Sequence, residues 1–386
     1  MNVVARERSY SRSNLPLYGL SWLHFLNDGA ANFLPGILPA LLVSLGQSVF
    51  MASTLMTALL IGQAVQPAMG MIADRLGGKS LIIVGVLGTN LGMALIGWVN
   101  SVFLLFPILL LMGLANSLFH PQALTSARSL AKQRHGAVLS IFLVGGELGR
   151  GIWPLVASFV IVEWGRQNLW ILSLITLVSI PLLLPALPSL PPRHRDSSRV
   201  AWGKHWRPAV MLVAFVAARS LILLALLTYL PIQWHQGGGG LTGGAALIST
   251  ILVVGVIGNI GGGWFSDRVG RRKSLLGSSA LILITLCLLL INKGWITWPL
   301  LGVLGIALFS TLPVTVVIGQ DIFPENRALG SGIALGLGNA CAAMGLLLYG
   351  IVVAHLGIDH AFWMLCGLAV ICFFLAFHLP YPKVVL

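Results

Sequence analysis

Twelve predominantly apolar stretches follow one another along the chain, at 17–42, 50–72, 81–99, 103–124, 136–162, 169–187, 208–232, 241–265, 275–291, 295–318, 328–354 and 361–377. A helix needs roughly 17–25 such residues to cross the ~30 Å hydrocarbon core of a bilayer. Backbone polar groups find no water there, so only helices and closed barrels can span it. The short alternating segments of a transmembrane barrel are absent from this sequence. The pattern predicts an all-α polytopic membrane protein with twelve transmembrane helices. Composition supports the point: only 9% of residues are charged, whereas a soluble domain carries about 25%. A soluble enzyme is thereby excluded, and the motifs of phosphate loops, nucleophile elbows and zinc-spaced histidine pairs are missing. Neither a cofactor nor a metal is expected. The chain also offers no soluble nucleotide-hydrolysing domain, which argues against an ATP-driven pump.

The formal net charge of +13 invites a nucleic-acid reading, but the distribution of the cations gives a better one. Cytoplasmic loops of membrane proteins retain Lys and Arg. With the N-terminus inside, Arg6, Arg8, Arg12, Arg75, Lys79, Arg128, Lys132 and Arg134 all fall on the cytoplasmic side. So do Arg193, Arg195, Arg199, Lys204, Arg207, Arg268, Arg271, Arg272, Lys273, Arg327 and Lys383. Only Arg166 and Lys293 fall outside, and only Arg150 and Arg219 lie within helices. Both termini are expected in the cytoplasm, with membrane lipid and no nucleic acid as the surroundings. The basic tail runs into the first span without a small-residue cleavage site, so no cleaved leader is expected. Cys287, Cys341, Cys366 and Cys372 all fall within predicted helices and read as packing residues.

The chain carries an internal repeat. Between helices 2 and 3 it reads GMIADRLGGK, and between helices 8 and 9 it reads GGWFSDRVGRRK. Asp74 and Asp267 are separated by half the length of the 386-residue chain, and the same offset carries Arg134 onto Arg327 and Gly145 onto Gly338. Two six-helix halves are expected, at 1–187 and 208–386, joined by a cytoplasmic linker at 188–207. Such repeats are a recurrent plan of secondary transporters, with the substrate site between the halves.

The duplicated loop resembles the signature of the major facilitator superfamily. Three further stretches resemble the fosmidomycin-resistance group of bacterial exporters: HFLND at 24–28, SLFHP at 117–121 and RHGAVLSIFLVGGELG at 134–149. The resemblance implies the major facilitator fold, a monomer in the bacterial cytoplasmic membrane, and alternating access. It also implies a latch of Asp74, Arg75, Asp267 and Arg268 that ties the halves together on the cytoplasmic side when the cavity faces outward. The central cavity would be lined by helices 1, 4, 7 and 10.

An ionisable residue inside a bilayer costs about 2.5–3.5 kcal/mol or more and marks a functional site by default. Asp28, Glu147 and Arg219 each stand eleven residues into their spans, roughly 16 Å deep at 1.5 Å per residue. Arg150 follows Glu147 by one turn. Asp28 is expected to carry the coupled proton, the alternative being a structural role with hydrogen bonds to Asn27 and Asn32. His24 is a proton relay or a structural histidine, and Glu147 a second proton site or the partner of Arg150. Arg219 is a substrate anchor, because a guanidinium donates two parallel hydrogen bonds to a carboxylate or phosphonate; the alternative is an ion pair with Asp28. Arg150, Asn27, Asn32 and His120 are further substrate candidates, with Asn90, Asn116, Gln122 and Gln320 as possible cavity liners. The glycines at 145–151 are expected to pack helix 5 against Gly255, Gly258, Gly261 and Gly262 of helix 8. The expected function is proton-coupled antiport export of a drug-like or small anionic metabolite. Proton-coupled uptake of an organic anion is the alternative.

Overall fold

The computed structural model describes residues 14–130, 135–192 and 202–381. The first span is broken into α1 (Leu15–Asn32) and α2 (Leu34–Ser44), and the second into α3 (Phe50–Ala64) and α4 (Gln66–Leu76). The N-terminal half continues through α5 (Ser80–Ile96), α6 (Val102–Ser129), α7 (His135–Trp164) and α8 (Trp170–Leu183). The C-terminal half contains α9 (Trp202–Gln236), α10 (Leu241–Val269), α11 (Arg271–Ile291) and α12 (Thr297–Ile322). Its eleventh span joins α13 (Arg327–Gly332) through a π turn at Ile333–Leu337 to α14 (Gly338–Leu356), and α15 (Ile358–His378) is the last. Ten of these spans meet the length and apolarity a bilayer requires; the broken first span and the shorter Ser80–Ile96 complete the twelve. The cations at 6, 8, 12, 132, 134, 193, 195, 199 and 383, and most of the linker at 188–207, lie outside the described residues.

The two breaks have a common cause. Pro35 and Pro67 occupy the first turn of α2 and of α4, where a proline's missing N–H is tolerated, whereas in a helix interior it would interrupt the ladder. At the first break Asn32 Nδ2 donates to the backbone oxygen of Asp28 (2.8 Å), so a side chain restores a contact near the helix end.

Glycine determines which helices touch, and here the structure corrects the sequence expectation. Gly145 and Gly149 of α7 lie against the backbone of α1 at Ser21 and Phe25, and Gly146 lies against the ring of His24. Only Gly151 faces α10, at Leu252 and Val253. Gly258 and Gly262 of α10 face the backbone of α12 at Ile306 and Ser310, Gly255 faces Phe309 of α12, and Gly261 meets open space. Helix 5 thus uses its glycines mainly for helix 1, and helix 8 uses its own for helix 10. Helical glycine spacing is visible in a sequence, but the partner is not. Because the backbone of Ile306 occupies the place of any Cβ at 258, Gly258→Leu is expected to destabilise by about 1–3 kcal/mol through overpacking. Thermal unfolding of the purified protein in detergent measures this, and an unchanged midpoint would contradict the packing.

Contacts between the halves are concentrated at one end. Helix α2 packs on α9 and α10, α3 packs on α9 and α14, and α7 on α10. Thr57 Oγ1 donates to the Ala343 carbonyl across this seam (3.1 Å). At the opposite end α4 packs on α6 of its own half, and Ala73 is its one buried residue. The assembly is closed at the α2 end and open at the α4 end, where the Asp74 loop lies.

Candidate functional site between the halves

Helix α7 is wedged between α1 and α10, and on either side of it stand two polar centres. The first belongs to the N-terminal half. Asp28 is buried on α1 and its carboxylate is held from several sides. Asn27 Nδ2 (3.0 Å) and Asn116 Nδ2 of α6 (3.2 Å) both donate to Oδ1. His120 Nε2 stands 3.2 Å from Oδ1, and His24 Nε2 stands 3.4 Å from Oδ2. Each imidazole is oriented through its other nitrogen: His24 Nδ1 lies 2.9 Å from the Phe142 carbonyl of α7, and His120 Nδ1 lies 2.9 Å from the Asn116 carbonyl. A carbonyl oxygen only accepts, so Nδ1 carries the proton in both rings. The bare glycine at 146 is what allows α7 to pass over the His24 ring.

The second centre spans the halves. Arg219 on α9 is 2% exposed, and its Nε and Nη2 have no hydrogen-bond partner. Its electrostatic neighbours are Cys372 of α15 and Arg150 and Glu147 of α7. Glu147 Oε1 lies 3.6 Å from Arg150 Nη1, while Glu147 Oε2 is buried without a partner. The side chains of Arg150 and His120 keep 34% and 22% exposure, so each centre retains one partly accessible side chain. A buried, unpartnered guanidinium is among the most expensive groups a membrane protein can keep. Two cations against one acid leave this centre with a net positive charge.

These positions sort the sequence expectations. His24, Asn27, Asp28 and His120 gather in one cluster, Asn32 meets the backbone oxygen of Asp28 at the helix end, and Glu147, Arg150 and Arg219 form another cluster. Asp28 and Arg219 are not ion-paired: each has its own surroundings. Asn116 joins the site. Asn90 is committed instead to Thr176 of α8 and the Val86 carbonyl, Gln122 to the Gly78 carbonyl, and Gln320 to Ser331. In the duplicated loops, Asp74 is half-buried and Arg75 exposed, Asp267 and Arg268 are exposed, and Arg268 stacks on Trp264 at 3.8 Å. Sequence reasoning missed an ion pair between Arg271 and Asp321, which joins the start of α11 to the end of α12. Asp321 follows the apolar run of helix 10 and carried no motif that would single it out.

A twelve-helix bundle in two halves with buried charged centres defines the fold class of a polytopic membrane transporter. The sequence model of the Major Facilitator Superfamily matches residues 20–262 and 241–385, and the chain belongs to that superfamily, whose members are transporters and not enzymes. It is 25% identical over 370 residues to the fosmidomycin resistance protein of Escherichia coli (strain K12), covering 92% of this chain and 91% of that one. It is 24% identical over 408 residues to a gallate transporter of Pseudomonas putida, covering 91% and 90%. Among solved structures, a point mutant of the nucleoside transporter NupG superposes with a TM-score of 0.79 at 16% identity, over 94% of this chain and 99% of that one. A bacterial homologue of the human lysosomal transporter Spinster superposes with a TM-score of 0.78 at 12% identity, over 95% and 97%.

Proposed function

We propose that this protein carries a small organic anion, of carboxylate or phosphonate type, across the bacterial inner membrane together with a proton. The observation that carries the proposal is Arg219, a buried guanidinium at the interface of the halves with two nitrogens unpartnered. A carboxylate or phosphonate satisfies two parallel N–H groups at once and neutralises the charge. Glu147 takes the proton. Its Oε2 is buried and unpartnered, so a proton there meets no competing donor, and protonation releases Arg150 from its pairing. Arg150 on its own helix and Arg219 on α9 are the charged groups near Glu147. Protonating Glu147 adds a positive charge beside Arg219, so proton and anion bind together, which favours movement in the same direction. With the Asp74 loop in the cytoplasm, the opening at the α4 end faces the cell interior. Asp74, Arg75, Asp267 and Arg268 would then draw the halves together when that end closes.

The named relatives support an anionic cargo: besides the gallate transporter, a gentisate transporter of Corynebacterium glutamicum is 26% identical over 325 residues. A second reading, export in exchange for a proton, is favoured by the likeness to the fosmidomycin resistance protein, which matches over nearly the whole chain. Counterflow into proteoliposomes tests the proposal, with fosmidomycin, gallate, gentisate and an uncharged nucleoside as cargo. Saturable counterflow of at least one anion, and none of the nucleoside, is expected. Nucleoside counterflow without anion counterflow would overturn it.

A further inference from the structure

We infer that His24, Asp28 and His120 form a binding site for a divalent transition-metal cation such as Zn2+ or Co2+, formed by α1 and α6. The inference goes beyond the anion-transport reading and uses none of its residues.

Three independent features of the cluster point to a metal. The first is ligand type and number: two imidazoles and a carboxylate offer one donor atom each, and these atoms lie within 4.8 Å of one another. Imidazole and carboxylate donors suit borderline cations, and three protein ligands with one open position are the usual arrangement of an accessible zinc site. The second is spacing. Ligand arms of about 2.0–2.1 Å at a tetrahedral centre place neighbouring donor atoms about 3.3 Å apart. The observed separations, 3.2 Å from His120 Nε2 to Asp28 Oδ1 and 3.4 Å from His24 Nε2 to Asp28 Oδ2, run to the two different oxygens of the carboxylate, so each imidazole stands at ligand spacing from its own oxygen. A charge-assisted N–H···O⁻ bond would draw these atoms to about 2.7–2.9 Å. His24 Nε2 is in fact buried without a hydrogen-bond partner.

The third feature is the support around the ligands. Metal-binding imidazoles almost always donate their other N–H to a carbonyl or carboxylate, which fixes the tautomer and aims the free nitrogen. Both rings do so here, on the Phe142 and Asn116 carbonyls. The carboxylate is in turn fixed by the Asn27 and Asn116 amides, and Thr89 Oγ1 of α5 donates to the Asn27 oxygen (3.3 Å). His24 and Asp28 are buried while the His120 side chain is 22% exposed, so the open coordination position and the entry path lie on the His120 side. Neutralising one carboxylate with a dication leaves this face of the cavity positive.

The test titrates the purified full-length protein in detergent with Co2+ and with Zn2+, without cargo, so that its outcome does not depend on the anion reading. Co2+ should saturate at a single ion per chain with the visible absorption of a four- or five-coordinate site, and Zn2+ should displace it. Asp28→Asn and His120→Gln should each weaken the affinity by about 100-fold or more, since loss of an outer-shell partner alone costs 10–100-fold. Thermal unfolding without metal reports whether each variant is folded, and His235→Gln, far from the cluster in the chain, should bind as the parent does. Asn116→Ala, which removes a carboxylate support but no ligand, should fall between parent and ligand variants. No saturable binding, or binding unchanged in folded Asp28→Asn and His120→Gln proteins, would overturn the inference.

Discussion

Replacing Arg219 by Leu should abolish measurable anion binding and at the same time raise the thermal stability of the carrier. The two effects follow from one geometry. The guanidinium is 2% exposed with Nε and Nη2 unpartnered, so the empty protein carries a desolvated charge with no hydrogen bond at either of these nitrogens. Replacing buried ionic groups by apolar ones of similar volume often stabilises by about 1–4 kcal/mol. A bound anion recovers the cost through charge-assisted hydrogen bonds. Truncating one side of such a buried pair typically costs about 2–5 kcal/mol, which corresponds to roughly 30-fold to several thousand-fold in affinity. Equilibrium binding of a transported anion to Arg219→Leu and Arg219→Lys measures the first effect, and unfolding in detergent the second. Lys should rescue partially, because it keeps the charge and loses the fork. A residue kept for packing would show the opposite pair: lower stability and intact affinity.

The second large effect is expected at Glu147. Glu147→Gln fixes the neutral form and leaves Arg150 unpaired, so the carrier should bind its anion at least as tightly as the parent. It should exchange labelled for unlabelled cargo, yet no longer accumulate cargo in response to a pH gradient. One proton moved with each anion allows about tenfold accumulation per pH unit, and that factor should fall to unity in the variant. Gradient-driven uptake and counterflow in the same proteoliposomes separate the two functions. Gradient-driven accumulation that survives in Glu147→Gln would remove Glu147 from the coupling step.

Much of the architecture could be read from the residues alone, because bilayer thickness and backbone hydrogen bonding leave few choices for twelve apolar runs. The charged midplane residues were equally visible, since each is costly in lipid and stands out against its neighbours. Their partners were not. Asp28 meets His24 through helical periodicity, four residues apart, but it meets His120 and Asn116 only because α6 packs beside α1. Nothing in the order of residues distinguishes that from pairing with Arg219. The same limit explains the glycines of α7, whose spacing announces close packing while the identity of the neighbour depends on the tertiary arrangement. It also explains why His24, Asp28 and His120 do not read as one cluster in the sequence: positions 24 and 28 share a helix face, but position 120 joins them only through tertiary packing. The Pro35 break before α2 falls inside a run that hydropathy reads as one continuous helix.

The central claim is that a proton and an organic anion move together through a site built on Arg219 and Glu147. The most direct measurement is the pH outside lightly buffered proteoliposomes when a transported anion is added, with no pre-existing gradient. The account predicts external alkalinisation that scales with anion uptake and is absent in Glu147→Gln. Anion uptake accompanied by external acidification, or by no proton movement at all, would contradict it.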